Sequence, residues 1–325
     1  MKREYDMNII RFLKDWTLPV AIALGATVYL LFYYVPQLDG LGNRLGPVID
    51  VIFPVTVFLT LLATFCKVDF HQMRPHRWHI GVLAAQVLLV VANLGIIFLV
   101  GDDLDQQLIW QGVLTCTIAP SASAAPVVTG KLGGNINTMT TFTVISALAS
   151  ALMIPLVFPP LTSTVHLTFF ETFLIILQKV SMVLLLPLVL GWLMQHYVKA
   201  VCRRIASMPN LSFYLWGVSL TIVAGVTVKN ILHSNAPLWL LTAIAALSFV
   251  VCFVQFGIGR AIGRHLGEEI CSGQALFQKN TSLAIWVAYL YLHPVASVGA
   301  GCYVLWQNII NSAELWHYRH THPTP

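Results

Sequence analysis

Residues Cys116–Asn135, CTIAPSASAAPVVTGKLGGN, and residues Ile270–Trp286, ICSGQALFQKNTSLAIW, decide how this chain folds. Each lies within a long apolar stretch, and each breaks the pattern of an uninterrupted spanning helix. In the first, Pro120 and Pro126 both lack a backbone donor and disrupt the helix six residues apart. Between them lie only Ser and Ala, which let backbones approach closely. In the second, Gln274, Gln278, Lys279, Asn280, Thr281 and Ser282 fall at membrane depth. Polar and charged groups there are expensive unless they face protein or a water-filled cavity.

The rest of the chain puts these two segments in a bilayer. It is 57% hydrophobic and only 10% charged, with a mean hydropathy of +0.77, whereas a soluble domain carries about 25% charged residues. Uncharged runs near the length of about 20 residues that a spanning helix needs follow one another along the sequence. They predict an all-α membrane protein of ten transmembrane helices. The expected spans are Leu18–Val35, Gly46–Cys66, His79–Val100, a broken Gln106–Gly130, Thr138–Phe158, Leu167–Tyr197, Leu211–Leu232, Pro237–Ile262, a polar Ile270–Leu290 and Val295–Trp316. Of the 18 Lys and Arg residues, fourteen fall in one alternating set of loops and tails, and only Arg44 and Lys229 fall in the other. This bias predicts a multi-pass protein of the cell inner membrane with both termini cytoplasmic. The N-terminal MKREYDMNIIRFLKDW has basic residues ahead of an apolar run but also three acids and no small-residue cleavage site, so it reads as a retained lead-in at 1–17.

Span four is the fourth of the first five, and span nine the fourth of the last five. An odd number of spans per half inverts the second half. The expectation is therefore two inverted five-helix repeats, 1–160 and 161–317, followed by a short cytoplasmic tail at 318–325. Interrupted helices in corresponding positions of two such halves point to a carrier's central site.

Other classes find no support. The formal charge of +5 is spread over short loops and forms no nucleic-acid-binding element. No nucleotide-binding loop, HExxH, GxSxG or pair of mid-depth acids suggests an ATP-driven pump or an intramembrane enzyme. A membrane-embedded sensor should carry a soluble signalling domain, and the tails are short. The six cysteines form no ligand spacing and read as small packing residues. His71, His76 and His79 read as a solvated loop and helix start, Gly259 and Gly263 as helix packing, and Asp50 and Glu171 as interfacial. Lys179 reads as structural, its stem reaching an interface or its head pairing with Glu171.

Several segments resemble the bile acid:sodium symporter family. APSASAAPVV is similar to the small-residue pattern of that family's fourth helix, QKNTSLA to its ninth-helix Gln-Asn-Ser-Gly-Leu-Ala, and YVLWQNIINSAEL to its tenth-helix Val-Trp-His-Asn-Ile stretch. GVLAAQV resembles the segment carrying a sodium-binding Gln, here Gln86. The resemblance covers nearly the whole chain in helix order. It implies panel and core domains, broken helices that cross near the midplane, and alternating-access transport of organic anions, usually with sodium. The implied substrate- and ion-binding set is Gln86, Pro120, Ser121, Ser123, Pro126, Thr143, Gln278, Lys279, Asn280, Thr281, Ser282, Gln307 and Asn308, with Gln86 and Thr143 as residual sodium ligands.

The departures are chemical. A fourth-helix Asn that binds sodium in the family falls on Pro126 here, and its neighbouring Ser on Ala125. The family's ninth-helix Glu falls near Gln274 or Ala275, and the Gln of its Gln-Asn pair is replaced by Lys279. A fixed ammonium can supply the positive charge that sodium would bring, either permanently or by loading and unloading a proton. The expectation is a carrier of small-molecule organic anions with an apolar body, surrounded by membrane lipid. It needs no cofactor beyond sodium or a proton as coupling ion, and its sodium coupling is weakened or absent. A cation/proton antiporter of related fold is the alternative, and it would want mid-membrane carboxylates at the crossing.

Overall fold

The computed structural model describes residues 17–68, 73–162, 168–208, 211–233 and 236–321. Residues 1–16 of the N-terminal lead-in at 1–17, His71 and the last four residues of the tail lie outside the described residues. Among the described residues thirteen α-helices follow in order: α1 (Thr17–Tyr34), α2 (Asp39–Phe65), α3 (Arg77–Val100), α4 (Leu104–Ile118), α5 (Ala125–Lys131), α6 (Ile136–Val157), α7 (Phe169–Tyr197), α8 (Lys199–Ala206), α9 (Leu211–His233), α10 (Leu238–Leu266), α11 (Glu269–Phe277), α12 (Thr281–Tyr291) and α13 (Ser297–Thr321). The chain is all-helical among the described residues. Six segments, Gly40–Phe65, Arg77–Val100, Ile136–Val157, Phe169–Tyr197, Tyr214–His233 and Leu238–Leu266, are long and apolar enough to cross a membrane. Val20–Tyr34 and Thr281–Tyr291 are shorter apolar helices.

The helices lie on the apolar stretches, with three shifted ends: α10 runs to Leu266, past the expected Ile262. α2 begins at Asp39 rather than Gly46 and carries Pro47 and Pro54 within it. α13 continues to Thr321, past the expected stop at Trp316. Proline is tolerated inside such helices because neighbouring groups and local adjustment re-satisfy the freed carbonyls.

Packing sorts the helices into two groups. α9 packs on α1 and α2, and α2 packs on α7. In the other group α10 packs on α4, α11 and α13, α3 on α4, and α12 on α13. α6 joins the groups through α7. Along the seam, Leu283–Ala288 of α12 share a core with Phe53, Val57 and Leu61 of α2 and with Leu220 and Val223 of α9.

The Gly259/Gly263 spacing does pack helices. A β-carbon on Gly259 would come within 2.5 Å of the Ser272 carbonyl oxygen, and one on Gly263 equally close to Glu268 and Glu269. Glycine therefore lets α10 lie directly on α11, and the Ser272 hydroxyl seals the contact by donating to the Gly259 carbonyl at 2.7 Å. Glu171 is used locally: its carboxylate accepts from the Thr168 amide at 2.8 Å, closing a capping box at the start of α7. Lys179 instead lies over the Tyr291 ring, 5.9 Å from its centroid.

Candidate functional site at the helix crossing

The two interrupted stretches meet. α4 stops at Ile118 and α5 starts at Ala125, with Pro126 at its second position, where the missing donor would be unpaired in any case. α11 stops at Phe277 and α12 starts at Thr281, with the Asn280 side chain accepting from the Leu283 amide at 3.2 Å as its N-cap. Between these ends, the extended residues pair as a minimal antiparallel bridge, Ser121 opposite Lys279. The Ala122 amide donates to the Gln278 carbonyl at 2.7 Å, and the Asn280 amide to the Pro120 carbonyl at 2.8 Å. In a bilayer, non-helical backbone survives only where it is buried and satisfied, and each broken segment here supplies partners for the other.

Side chains from neighbouring helices cap the remaining ends. Gln86 of α3 directs its amide nitrogen at the carbonyls of Thr117 (3.3 Å), Ile118 (3.4 Å) and Ala119 (3.0 Å). The Ser150 hydroxyl donates to the Ile118 carbonyl at 2.9 Å, and the Ser146 hydroxyl accepts from the Ser121 amide at 2.9 Å. Tyr303 donates to the Phe277 carbonyl at 2.6 Å and accepts from Gln255, which also reaches the Cys116 carbonyl at 3.2 Å. Gln86 is thus a C-terminal cap in this structure. Its replacement by Leu, of similar size, leaves buried carbonyls short of a donor. The expected destabilisation is about 1–3 kcal/mol, read as a lowered melting temperature of the protein in detergent; an unchanged melting point would mean the carbonyls do not depend on Gln86.

Lys279 sits at the centre. Its amide donates to the Gln307 side-chain oxygen at 3.0 Å. Its side chain is 1% exposed, and its ammonium has no hydrogen-bond partner. The Gln86 Oε1, Ser121 Oγ, Gln278 Oε1 and Ser282 Oγ atoms are likewise buried and without partners. Gathered at the crossing are therefore Pro120, Ser121, Gln278, Lys279, Asn280 and Gln307, with Gln86 reaching the end of α4.

Ser123, Asn280 and Ser282 also face a small void, shared with Val57 and Thr60 of α2 and with Trp216 and Ser219 of α9. At about 10 Å³ it is close to the volume of one water molecule. Thr281 is buried at the start of α12. Two other candidates bond within their own helices. Thr143 donates to the Met139 carbonyl of its own helix at 3.0 Å, and Asn308 donates to the Val304 carbonyl at 2.7 Å.

A site open to an organic anion would present a cavity to Lys279. A larger cavity, about 660 Å³, lies elsewhere: Phe249, Phe253 and Phe256 of α10 face Trp306 and Ile310 of α13 across it, and Lys279 is not in its wall. The Lys279 side chain is enclosed in this structure.

Sequence reading also missed a polar network beside the crossing. Arg260 of α10 pairs with Glu314 of α13 and lies 3.5 Å from Glu269. Gln274 of α11 donates to Glu314 at 2.8 Å and to Asn311 at 3.1 Å. The acidic residue in the YVLWQNIINSAEL stretch was the available signal. Glu314 reaches the ninth-span segment from the tenth, so an acid is present near α11 although α11 itself has none after Glu269.

The chain-wide resemblance noted in the sequence has an independent counterpart. No curated protein is significantly similar to the chain. Residues 54–234, more than half of the chain, match the family described as the Sodium Bile acid symporter family, and this all-helical protein, with two broken stretches paired at its core, is a membrane transporter belonging to that family.

Proposed function

We propose that the protein is a secondary carrier of organic anions that works by alternating access, with ten spans in two inverted five-helix halves and both termini in the cytoplasm of an inner membrane. The observation that carries this reading is the Lys279 ammonium, buried and without a partner at the paired broken segments. An unpaired charge in such a place costs several kcal/mol, so it calls for a negative group during the working cycle. The substrate carboxylate or sulfonate supplies it. The void beside Asn280 and Ser282 admits no organic anion, so the α1, α2, α7 and α9 group has to part from the crossing for substrate to pass. The basic-loop asymmetry supports the orientation.

Sodium is dispensable in this proposal, because Lys279 already provides the positive charge. Uptake of the transported anion by proteoliposomes should keep most of its rate when sodium is replaced by potassium or choline. Taurocholate is the first probe, followed by anions that raise the melting temperature of the detergent-solubilised protein. Strict sodium dependence would overturn the proposal and would assign the orphaned oxygens of Gln86, Ser121 and Gln278 to the ion.

A further inference from the structure

The short helix α8, Lys199–Ala206, joins two membrane-spanning candidates, α7 and α9, and so lies at the edge of the bilayer. At 100° per residue, Val198, Val201, Cys202 and Ile205 occupy one arc, and Lys199, Arg203 and Arg204 occupy the rest. The helix is fixed in place. Cys202 is buried, and its thiol donates to the Cys66 carbonyl at 3.4 Å. Gln195 just before it donates to the carbonyl of Val68 at 2.6 Å, and Lys67 just after α2 donates to the Met208 carbonyl at 3.0 Å.

Two kinds of group remain on the outside. Tyr197, Val198, Val201 and Met208 are exposed apolar side chains. Lys199, Arg203 and Arg204 are exposed cations, and among the described residues no carboxylate lies within ion-pair distance of any of them. Exposed apolar groups beside unneutralised cations, on a rigid platform between two spans, fit a surface that is itself apolar below and anionic above.

We propose that α8 is a binding surface for anionic phospholipid headgroups of the leaflet it faces. Tyr197, Val201 and Met208 enter the acyl boundary, and Lys199, Arg203 and Arg204 take the phosphates. Each such cation at a membrane surface favours anionic lipid by about fivefold, so three acting together favour it by about 100-fold over zwitterionic lipid.

The test uses the full-length protein in phosphatidylcholine nanodiscs doped with phosphatidylglycerol, with retained lipid counted by native mass spectrometry. It needs no transported substrate. The wild type should retain phosphatidylglycerol in preference to phosphatidylcholine. The triple variant Lys199→Gln, Arg203→Gln, Arg204→Gln should lose most of that preference, whereas the charge-preserving Lys199→Arg, Arg203→Lys, Arg204→Lys should keep it. Equal retention of both lipids by the wild type, or an undiminished preference in the neutralised variant, would overturn the proposal. Displacement of the lipid by inorganic phosphate would also overturn it, showing a free-anion site rather than a membrane surface.

Discussion

Lys279→Glu should abolish anion uptake, and Lys279→Met should reduce it by about 30-fold to several thousandfold, the range given by losing one partner of a buried charge pair worth about 2–5 kcal/mol. The argument rests on burial. The ammonium is 1% exposed and makes no hydrogen bond. The helix ends around it are already capped by Gln86, Gln255 and Tyr303, so the ammonium is not needed to cap them.

The two substitutions separate a functional from a structural lysine. If Lys279 serves an anion, Lys279→Met removes an uncompensated buried charge. The substrate-free protein should then melt at the same temperature or higher while transport falls. If Lys279 holds the crossing together, stability and transport should fall in step. Glutamate adds a repulsive charge without a counter-ion at the site, so its loss of uptake should exceed that of Met. Unchanged uptake by Lys279→Glu would remove Lys279 from the site.

The breaks in the two helices were legible because they depend on local chemistry. Pro120 and Pro126 cannot continue a helix, and a run from Gln278 to Ser282 does not sit comfortably against lipid. The helix-packing reading of Gly259 and Gly263 was legible for the same reason. What closes the site was not. Ser146, Ser150, Gln255 and Tyr303 cap broken ends from 25 or more residues away in sequence, and no local pattern marks a serine as a cap rather than a packing residue. Gln307 and Asn308 both belong to the set that the family resemblance implies. Adjacent residues on a helix point about 100° apart, and only Gln307 reaches Lys279. The direction of the Lys279 side chain was equally hidden, because an unwound segment has no helical face from which to read it.

Gly263→Ala should destabilise the protein by about 3 kcal/mol or more, while Gly257→Ala, six residues earlier in the same helix, should be neutral or stabilising by up to about 1 kcal/mol. An added methyl at 263 would meet Ser272 Oγ, the Glu268 carbonyl oxygen and Glu269 Cα. Two of these are backbone atoms at the start of α11 and cannot rotate away, so α10 and α11 would have to separate. At 257 nothing lies within 4 Å, so alanine there only lowers the conformational freedom of the unfolded chain. Thermal or denaturant unfolding of both variants in detergent checks the pair, and equal effects would mean that the α10–α11 approach is not tight. The contact also bears on the site. α11 delivers Gln278 and Lys279 to the bridge with Ser121, and it is fixed from outside by α10 and by the Gln274 bonds to Asn311 and Glu314. Pushing α11 outward at its start should therefore displace the ammonium at its end, and Gly263→Ala should lose transport even under conditions where it remains folded.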